Sequence, residues 1–226
     1  MINIQGVKKT YKAGDSEVKA LRGVNLVIDK GDFLSIAGPS GSGKTTLLNL
    51  IGCIDTVDEG NIIIEDREVT GLSKDEKTSF RREKLGFVFQ SYNLIPVLTA
   101  YENVAFSLQL LGLKDPEIKE RTMNLLKEVG LTGMENRRPS RLSGGQQQRV
   151  AVARALIKNP LIVLADEPTA NLDSHTGEEI LKLMNVMNEK LGTTFIFSTH
   201  DKMVMEYAGR LVNIHDGEIS SDVRRP

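Results

Sequence analysis

The sequence predicts an α/β fold in which strands alternate with helices and a helical segment is inserted into the alternation. Three observations carry this prediction. Short apolar runs typical of buried strands recur along the chain, amphipathic helical stretches lie between them, and a glycine-rich loop joins one such run to a helix. This alternation favours a parallel sheet with helices on both faces. The 226 residues are enough to bury a core without disulfides or metals.

The N-terminal part is predicted to form strands around the glycine-rich loop. Val24, Leu26 and Ile28 recur at every second position, which is the period of a half-buried strand. The residues Asp29 to Asp32 that follow are a turn signal. Further strands are predicted at Phe33–Ala37, Asn61–Glu65 and Leu85–Phe89, with a helix from about Lys44 to Cys53.

The middle of the chain is predicted to be helical, and the C-terminal part returns to alternation. Val104, Leu108 and Leu111 share one helical face between residues 100 and 130, and Pro116 suits the first turn of a second helix. After residue 150, strands are predicted at Leu161–Ala165 and Thr193–Ser198, helices at Gly177–Leu191 and Asp201–Tyr207, and a hairpin at Leu211–Ile214 with Glu218–Ser220.

Composition excludes several classes of protein. Lys and Arg number 29 and Asp and Glu number 30, so the chain lacks the basic balance of a dedicated nucleic-acid binder. The run Arg137, Arg138 and Arg141 has no interleaved aromatic residues and is interpreted as a solvated face. Cys53 is the only cysteine, so no internal disulfide can form, as is typical of cytosolic proteins. Neither an 18-residue apolar run nor a signal peptide is evident, so we expect another chain to supply any membrane span.

A phosphate-binding loop is the most specific motif in the sequence. It consists of Gly38, Pro39, Ser40, Gly41, Ser42, Gly43, Lys44 and Thr45, and it matches the pattern G-x-x-x-x-G-K-[ST] between a strand and a helix. Its glycines let main-chain N–H groups face a phosphate, and the helix N-terminus adds partial positive charge. We expect Lys44 to bridge the β- and γ-phosphates and the Thr45 hydroxyl to bind Mg²⁺. An ordinary glycine-rich loop is the weaker alternative.

A second motif is the acidic end of the strand Leu161–Ala165. Asp166 and Glu167 follow it, at the edge where ligands bind in open α/β folds. Asp166 is predicted to hold Mg²⁺ and Glu167 to act as the general base that activates water. The alternative is a solvated turn that carries two acidic residues.

A second glycine motif opens a helix after residue 142. Ser143 is a plausible N-cap, and Gly144 and Gly145 leave main-chain N–H groups accessible to an anion at a helix N-terminus. A capped helix without a ligand is the alternative interpretation.

Together with the other motifs, Leu142 to Gln146 resembles the signature of ATP-binding-cassette (ABC) ATPases, and the resemblance covers essentially the whole chain. Matching elements follow in family order: Tyr11 as the residue stacking on adenine, Gln90 as the Q-loop glutamine, Ala170 to Asp173 as the D-loop with Asn171 at a variable position, and His200 as the switch histidine. The resemblance implies a P-loop NTPase core with a mixed sheet, an N-terminal antiparallel β subdomain and an inserted helical subdomain. Residues 1–89 and 151–226 would form the ATP-binding core, and residues 90–150 the helical subdomain, within one domain of residues 1–226.

The resemblance also implies a set of site residues and ligands. The cofactors are ATP and Mg²⁺. The implied catalytic residues are Glu167, His200 and Gln90, and the implied metal ligands are Thr45, Gln90 and Asp166. The implied nucleotide-binding residues are Tyr11, the loop Gly38 to Thr45, Thr46, Ser143, Gly144, Gly145, Gln146 and Asp173.

A finer resemblance is to the LolD/MacB-like branch, which serves lipoprotein release and macrolide export. It rests on Ile51 to Asp55, Phe87 to Gln90, Asn93 to Pro96 and Leu98 to Val104. It implies a head-to-tail homodimer closed around two ATP molecules and a separate integral membrane permease, with the chain at the inner face of the cell membrane. The uncharged stretch Tyr92 to Tyr101 is expected to receive a short helix of that permease.

Alternative functions and roles remain open at the level of sequence. An FtsE-like mechanical signalling ATPase would also pair with a membrane subunit, whereas a non-transport ABC ATPase or a nucleotide-binding module without turnover fits the motifs less well. Tyr11 could instead cover the core as a strand aromatic, and His200 could be structural. His175 and His215 are interpreted as surface residues, and Cys53 as a small buried one.

Overall fold

The computed structural model describes residues 1–14 and 16–225, which form two compact units. The first unit comprises Met1–Arg81 and Thr194–Pro226, and the second comprises Arg82–Thr193. The expected subdomain boundaries at residues 89 and 150 are a different division and stay a prediction.

The strands are β1 (Ile2–Ala13), β2 (Ser16–Ile28), β3 (Phe33–Ala37), β4 (Glu59–Ile64), β5 (Arg67–Glu68), β6 (Leu85–Phe89), β7 (Ile162–Asp166), β8 (Thr194–Thr199), β9 (Arg210–His215) and β10 (Glu218–Arg224). The helices are α1 (Lys44–Ile51), α2 (Lys74–Lys84), α3 (Ala100–Gln109), α4 (Asp115–Glu128), α5 (Gly144–Leu156), α6 (Ser174–Leu191) and α7 (Lys202–Tyr207), with a 3₁₀ turn at Pro139–Arg141.

An antiparallel sheet with the order β2-β1-β4-β5 forms one part of the first unit. Ile2 pairs with Ile28 on one side and with Ile64 on the other, and all three side chains are buried. Alternating residues of each strand therefore supply one apolar face, because side chains in a strand point to opposite faces in turn. The expected N-terminal antiparallel β subdomain is confirmed.

A second group of strands in the first unit positions two of the predicted motifs. Strand β3, buried at all five residues, pairs in parallel with β8 and with β9, and β9 pairs antiparallel with β10. Phe33 packs on Phe197 with ring centroids 4.6 Å apart. Because Ala37 pairs with Thr199, the phosphate loop and His200 leave the sheet at neighbouring strand ends.

The second unit pairs β6 with β7 in parallel and packs helix α5 on β6. Phe89 pairs with Asp166, so Gln90 and Glu167 also leave the sheet at neighbouring strand ends. In each unit, the predicted functional segments therefore begin where buried parallel strands end.

Most predicted elements are confirmed, with three differences. Helix α1 ends at Ile51, and Cys53 lies beyond it with φ 54°, although it is buried as expected. Leu111 lies outside α3. Helix α2 was not predicted, because only Lys77 and Phe80 of it are buried and it shows no apolar periodicity.

Among the described residues, no helix combines the length and the apolar character that crossing a bilayer requires.

Candidate functional site

The phosphate loop connects β3 to α1 in a conformation that requires glycine. Gly43, the residue before α1, has φ +104°, and a Cβ atom there would lie 2.5 Å from the carbonyl oxygen of Ala20. Only glycine fits both the conformation and the space. The first turn of α1 thus begins without a capping side chain, and its main-chain N–H groups are suited to an anion.

Lys44 and Ser42 make the interior of this loop polar. The Lys44 ammonium donates to the carbonyl oxygens of Gly38 at 2.8 Å and Pro39 at 2.9 Å, while the residue is only 7% exposed. The Ser42 hydroxyl oxygen is buried and has no hydrogen-bond partner among the residues that the structure describes. A positive charge and an unsatisfied hydroxyl group in one loop fit a phosphate group, which accepts hydrogen bonds from both.

Tyr11 lies in the same unit as the phosphate loop and is 39% exposed. Its hydroxyl group donates to Asp55 Oδ2 at 2.7 Å, and Lys9 Nζ lies 5.2 Å from the ring centroid. Burial and the Asp55 hydrogen bond raise the pKa of Tyr11, while a hydrogen bond with the side chain of Thr46 acts in the opposite direction. The aromatic ring is therefore accessible, and its hydroxyl end reaches the helix that follows the phosphate loop.

His200 follows β8 beside the phosphate loop and is exposed. The next residue, Asp201, caps α7 by accepting from the main-chain N–H of Met203 at 2.9 Å. His175 and His215 are exposed, as expected.

Gln90, Asp166 and Glu167 are brought together in the second unit by the pairing of β6 with β7. Glu167 has φ 49°, a left-handed conformation that costs a non-glycine residue about 1–2 kcal/mol. Such local strain persists where the surrounding structure fixes it and is common at active sites. The chain thus turns sharply at the carboxylate that the sequence predicts to be the general base.

The second glycine motif forms a capped helix N-terminus, as predicted. The Ser143 hydroxyl oxygen accepts from the main-chain N–H of Gln146 at 3.3 Å, and Gln146 Oε1 accepts from the N–H of Ser143 at 3.0 Å. A Cβ atom on Gly144 would lie 2.9 Å from the Tyr92 hydroxyl oxygen, and one on Gly145 would lie 2.5 Å from Thr176 Cγ2. The glycines therefore also make room for neighbouring side chains, a role that the sequence analysis did not identify.

Hydrogen bonds tie the loop after Gln90 to the two other motifs of the second unit. Arg154 of α5 donates to the carbonyl oxygens of Asn93 at 2.5 Å and Tyr92 at 2.8 Å. Asn171 donates from Nδ2 to the carbonyl oxygen of Gln90 at 3.0 Å, and the Tyr92 hydroxyl donates to the carbonyl oxygen of Asn171 at 3.4 Å. The loop after Gln90, called the Q-loop, is thus bonded both to α5, the signature helix, and to the D-loop. Sequence reasoning missed Arg154 and treated Asn171 as variable, because no local pattern marks a partner about 60 to 80 residues away.

Asp173 of the D-loop is the N-cap of α6. Its Oδ1 accepts from the main-chain N–H of Thr176 at 3.0 Å, and its Oδ2 accepts from the Thr176 hydroxyl at 2.6 Å. These two bonds lower the pKa of Asp173. The side chain that was predicted to bind nucleotide therefore has a structural role within its own chain.

The second unit also contains a cavity of about 220 Å³ beside the Q-loop. It is lined by Leu85, Gly86, Phe87, Phe89, Asn93, Ser107, Arg154, Ala155 and Lys158. Burial lowers the pKa values of both basic residues, that of Lys158 to about 8.

The residues predicted to bind Mg²⁺ fit that ion in donor type. Thr45 in the first unit and Gln90 and Asp166 in the second carry oxygen atoms, which Mg²⁺ prefers together with phosphate oxygens and water. The described residues include no group of three or more His, Cys, Asp or Glu side chains suited to a metal ion. These donor types therefore fit Mg²⁺ that is bound together with phosphate oxygens.

Comparison with known proteins identifies the class to which this site belongs. The ABC transporter family model matches residues 21–170. The chain belongs to the ABC transporter family: it is an ATP-hydrolysing cassette that uses ATP with Mg²⁺.

Individual relatives agree with this assignment. The chain is 48% identical over 226 residues to the uncharacterized ABC transporter ATP-binding protein MJ0796 of Methanocaldococcus jannaschii, covering 98% of this chain and 96% of that protein. It is 46% identical over 224 residues to the macrolide export ATP-binding/permease protein MacB of Syntrophobacter fumaroxidans, covering 98% of this chain and 31% of MacB. This chain thus spans about a third of the length of the MacB relatives.

Solved structures give the same result for the fold. The dimeric structure of MJ0796 in a post-hydrolysis state, bound to ADP and Pi, matches with a TM-score of 0.91 and 46% identity, covering 100% of this chain and 99% of that one. The resemblance to ABC ATPases and to their MacB-like branch, and the predicted P-loop fold, are confirmed. The roles of single site residues stay predictions.

The lowered pKa of Lys158 predicts a pH-dependent stability. Because its pKa falls from 10.5 to about 8 on folding, the unfolded chain binds more protons between those values. The free energy of unfolding should therefore rise with pH in that window, by up to about 1.4 kcal/mol per pH unit, relative to Lys158→Met. Urea denaturation of both proteins at several pH values measures the difference. If the difference in free energy of unfolding between the wild type and Lys158→Met stays constant with pH, the Lys158 ammonium group is not buried.

Proposed function

We propose that the chain is the ATP-hydrolysing subunit of a transporter in which two copies of it drive a separate membrane permease, in LolD/MacB-like export or lipoprotein release. The main support is the placement of the phosphate loop, His200, Gln90 and Glu167 directly after buried parallel strands. The MJ0796 relative is dimeric, and the MacB relatives are ATP-binding/permease proteins. Through the permease, the chain would be held at the inner face of the cell membrane.

In this proposal, the residues that the family resemblance implies carry out hydrolysis of ATP by water to ADP and phosphate. Lys44 and the N–H groups at the start of α1 bind the phosphates, and His200 contacts the γ-phosphate. Glu167 accepts a proton from the attacking water, so that the oxygen can bond to the γ-phosphorus as the bond to the ADP oxygen breaks. Thr45, Gln90 and Asp166 would hold Mg²⁺, which would supply neutralisation of the phosphate charge.

Replacing Glu167 with Gln tests the assignment of the general base. The amide keeps the shape of the side chain but cannot accept the proton, so kcat should fall about 10²–10⁴-fold. Affinity for ATP should be retained, because Lys44 and the phosphate loop are unchanged. Steady-state hydrolysis and equilibrium ATP binding measure the two quantities. Glu120→Gln is a suitable control, because it makes the same chemical change at an exposed carboxylate of α4, and turnover near the wild-type rate in Glu167→Gln would exclude the assignment.

The proposed dimer uses the second glycine motif of one copy on the ATP of the other. Ser143, Gly144, Gly145 and Gln146 would contact the γ-phosphate bound by the partner copy, with the D-loop residue Asp173 beside them. The capping box at Ser143 supports this arrangement, because it fixes the orientation of the first N–H groups of α5. A two-fold, head-to-tail pair satisfies both nucleotide sites with one kind of interface.

Association of the two copies should therefore depend on ATP. The dimer should last longest when its ATP is not hydrolysed. Sedimentation of Glu167→Gln should show a dimer with ATP and Mg²⁺ and a monomer with ADP. Gly145→Val should remain monomeric with ATP while still binding it, since its side chain displaces Thr176 at the motif and leaves the phosphate loop unchanged. A Glu167→Gln protein that stays monomeric at saturating ATP would exclude this dimer.

The surface proposed for the permease is the segment Tyr92 to Tyr101. Asn103 is buried and holds it in shape, accepting from the N–H of Ile95 at 2.8 Å and donating to the carbonyl oxygens of Ile95 and Thr99. Ile95 and Val97 nevertheless stay exposed, at 36% and 70%. A rigid loop that presents apolar side chains to solvent is typical of a docking surface. The adjoining cavity beside Phe87 and Phe89 can receive side chains of a short permease helix.

The double substitution Ile95→Ser and Val97→Ser tests this surface. It should weaken co-purification with the permease from detergent-solubilised membranes about tenfold, equivalent to 1.4 kcal/mol, because two apolar contacts are lost. The free protein should keep its ATPase rate. Met123→Ser with Val186→Ser, which alters exposed apolar residues of α4 and α6, is the matched control. If both double variants recover equal amounts of permease, the permease does not bind to this surface.

A further inference from the structure

A cluster of charged side chains surrounds Tyr11 in the first unit. Asp55 uses both of its carboxylate oxygens there. Oδ2 accepts from the Tyr11 hydroxyl at 2.7 Å, and Oδ1 accepts from Lys9 Nζ at 3.2 Å and from the main-chain N–H of Thr56 at 2.7 Å. Lys9 Nζ also donates to the carbonyl oxygen of Thr56 at 2.6 Å. Tyr11 and Lys9 are thus held by the same carboxylate.

Lys9 covers one side of the tyrosine ring. Its ammonium nitrogen lies 5.2 Å from the ring centroid, within the range of a cation–π contact, and the Lys9 residue is only 7% exposed. Tyr11 is nevertheless 39% exposed. The Lys9 ammonium group occupies one side of the ring, and the residue remains accessible to solvent. The other side of the ring is therefore available to a planar ligand.

Asp55 also joins the ring to the helix of the phosphate loop. The main-chain N–H of Asp55 donates to the carbonyl oxygen of Asn49 in α1 at 3.3 Å, and so does that of Ile54 at 2.9 Å. Tyr11 itself is in β1, 44 residues earlier. The carboxylate therefore fixes the ring relative to the helix whose N-terminus follows the phosphate loop.

We propose that Asp55 is a positioning residue for the nucleotide base: with Lys9 it holds the Tyr11 ring at a fixed place and tilt so that adenine stacks on the open face. The inference rests on the proposed role of Tyr11 as the base-stacking residue. Stacking depends on ring position, and an exposed tyrosine without this anchor would sample other rotamers. Recognition here is by the aromatic face, so larger purine bases are favoured over pyrimidines.

The protonation state of the cluster supports this role. Burial acts to raise the pKa of Asp55, but the hydrogen bonds from Tyr11, from the Thr56 main chain and from Lys9 outweigh it and lower that pKa. The pKa of Lys9 is raised, because bonding to Asp55 and the nearby charge of Asp58 outweigh the effect of burial. Both groups are therefore charged across the neutral range, and the anchor does not weaken between pH 6 and 8.

Asp58 provides a matched control. It also contacts Lys9, at 3.5 Å, and accepts from the main-chain N–H of Thr10 at 2.6 Å. Within the described part of the chain, the bonds of its carboxylate go to these two residues and not to the phenol. Removal of either carboxylate thus perturbs Lys9, whereas only removal of Asp55 releases the ring.

The experiment compares Asp55→Ala, Asp55→Asn and Asp58→Asn with the wild type. Asp55→Ala should raise KM for ATP about tenfold while kcat changes less than twofold, because a hydrogen bond to a charged group is lost at the base and not at the phosphates. The preference for ATP over UTP should fall by a similar factor. Binding of inorganic tripolyphosphate should be unchanged, which also shows that the phosphate loop is folded. Asp55→Asn keeps an acceptor for the phenol, so its KM for ATP should lie between those of the wild type and Asp55→Ala. Asp58→Asn should have a KM close to that of the wild type.

Two further variants separate failure of this inference from failure of the proposed role of Tyr11. Tyr11→Ala should abolish the preference for ATP over UTP; if it does not, the stacking role is wrong. If Tyr11→Ala has that effect but Asp55→Ala does not, the positioning role is wrong. Tyr11→Phe combined with Asp55→Ala should be little worse than Asp55→Ala alone, since Asp55→Ala already removes the bond of the phenol to the carboxylate and only its bond with Thr46 is then left to lose. Additive losses, or equal losses of ATP and tripolyphosphate binding, would overturn the proposal in favour of a general structural role.

Discussion

Parallel pairing of buried strands is the constraint on which the functional segments depend. The register that places Ala37 beside Thr199 sends the phosphate loop and His200 out of the sheet side by side, and the register of Phe89 with Asp166 does the same for Gln90 and Glu167. Because β3 and β8 are buried on both faces, a shift of one residue in their register would move every side chain to the opposite packed face. The apolar runs that bury these strands therefore also fix the position of the functional segments.

In the second unit, the three motifs that the family resemblance treats as separate are physically connected. Arg154 bonds the signature helix to the loop after Gln90, and Asn171 bonds the D-loop to Gln90 itself. Tyr92 packs against Gly144 at the start of the signature helix. A force applied to the exposed loop containing Val97 would thus reach the signature helix through hydrogen bonds and packing rather than through a flexible link, which is the property that a coupling between permease and nucleotide requires.

Polar side chains have two kinds of role in this protein, and their hydrogen-bond partners separate them. Lys44 and Ser42 are almost fully buried in a loop whose own carbonyl groups meet only part of their bonding capacity, so they are suited to bind a ligand. Asp173 and Ser143 instead satisfy helix ends, and Asn103 satisfies a surface loop. The Asp55 cluster belongs to neither group, because its bonds end on an aromatic ring that remains accessible to solvent.

The sequence by itself determined the fold class, the strands that bear the motifs, and the loop from Gly38 to Thr45, because each of these leaves a pattern among residues close along the chain. The capping role of Ser143 was predictable for the same reason: its partner is three residues away. Helix α2 was not predictable, since it has too few buried residues to show a period. The partnership of Tyr11 with Asp55, and those of Arg154 and Asn171 with the Q-loop, were decided only by the tertiary structure. These bonds join residues 44 to 81 positions apart, and hydrogen bonding at such separations leaves no periodicity in the sequence, because only the packing of strands and helices brings the partners within reach.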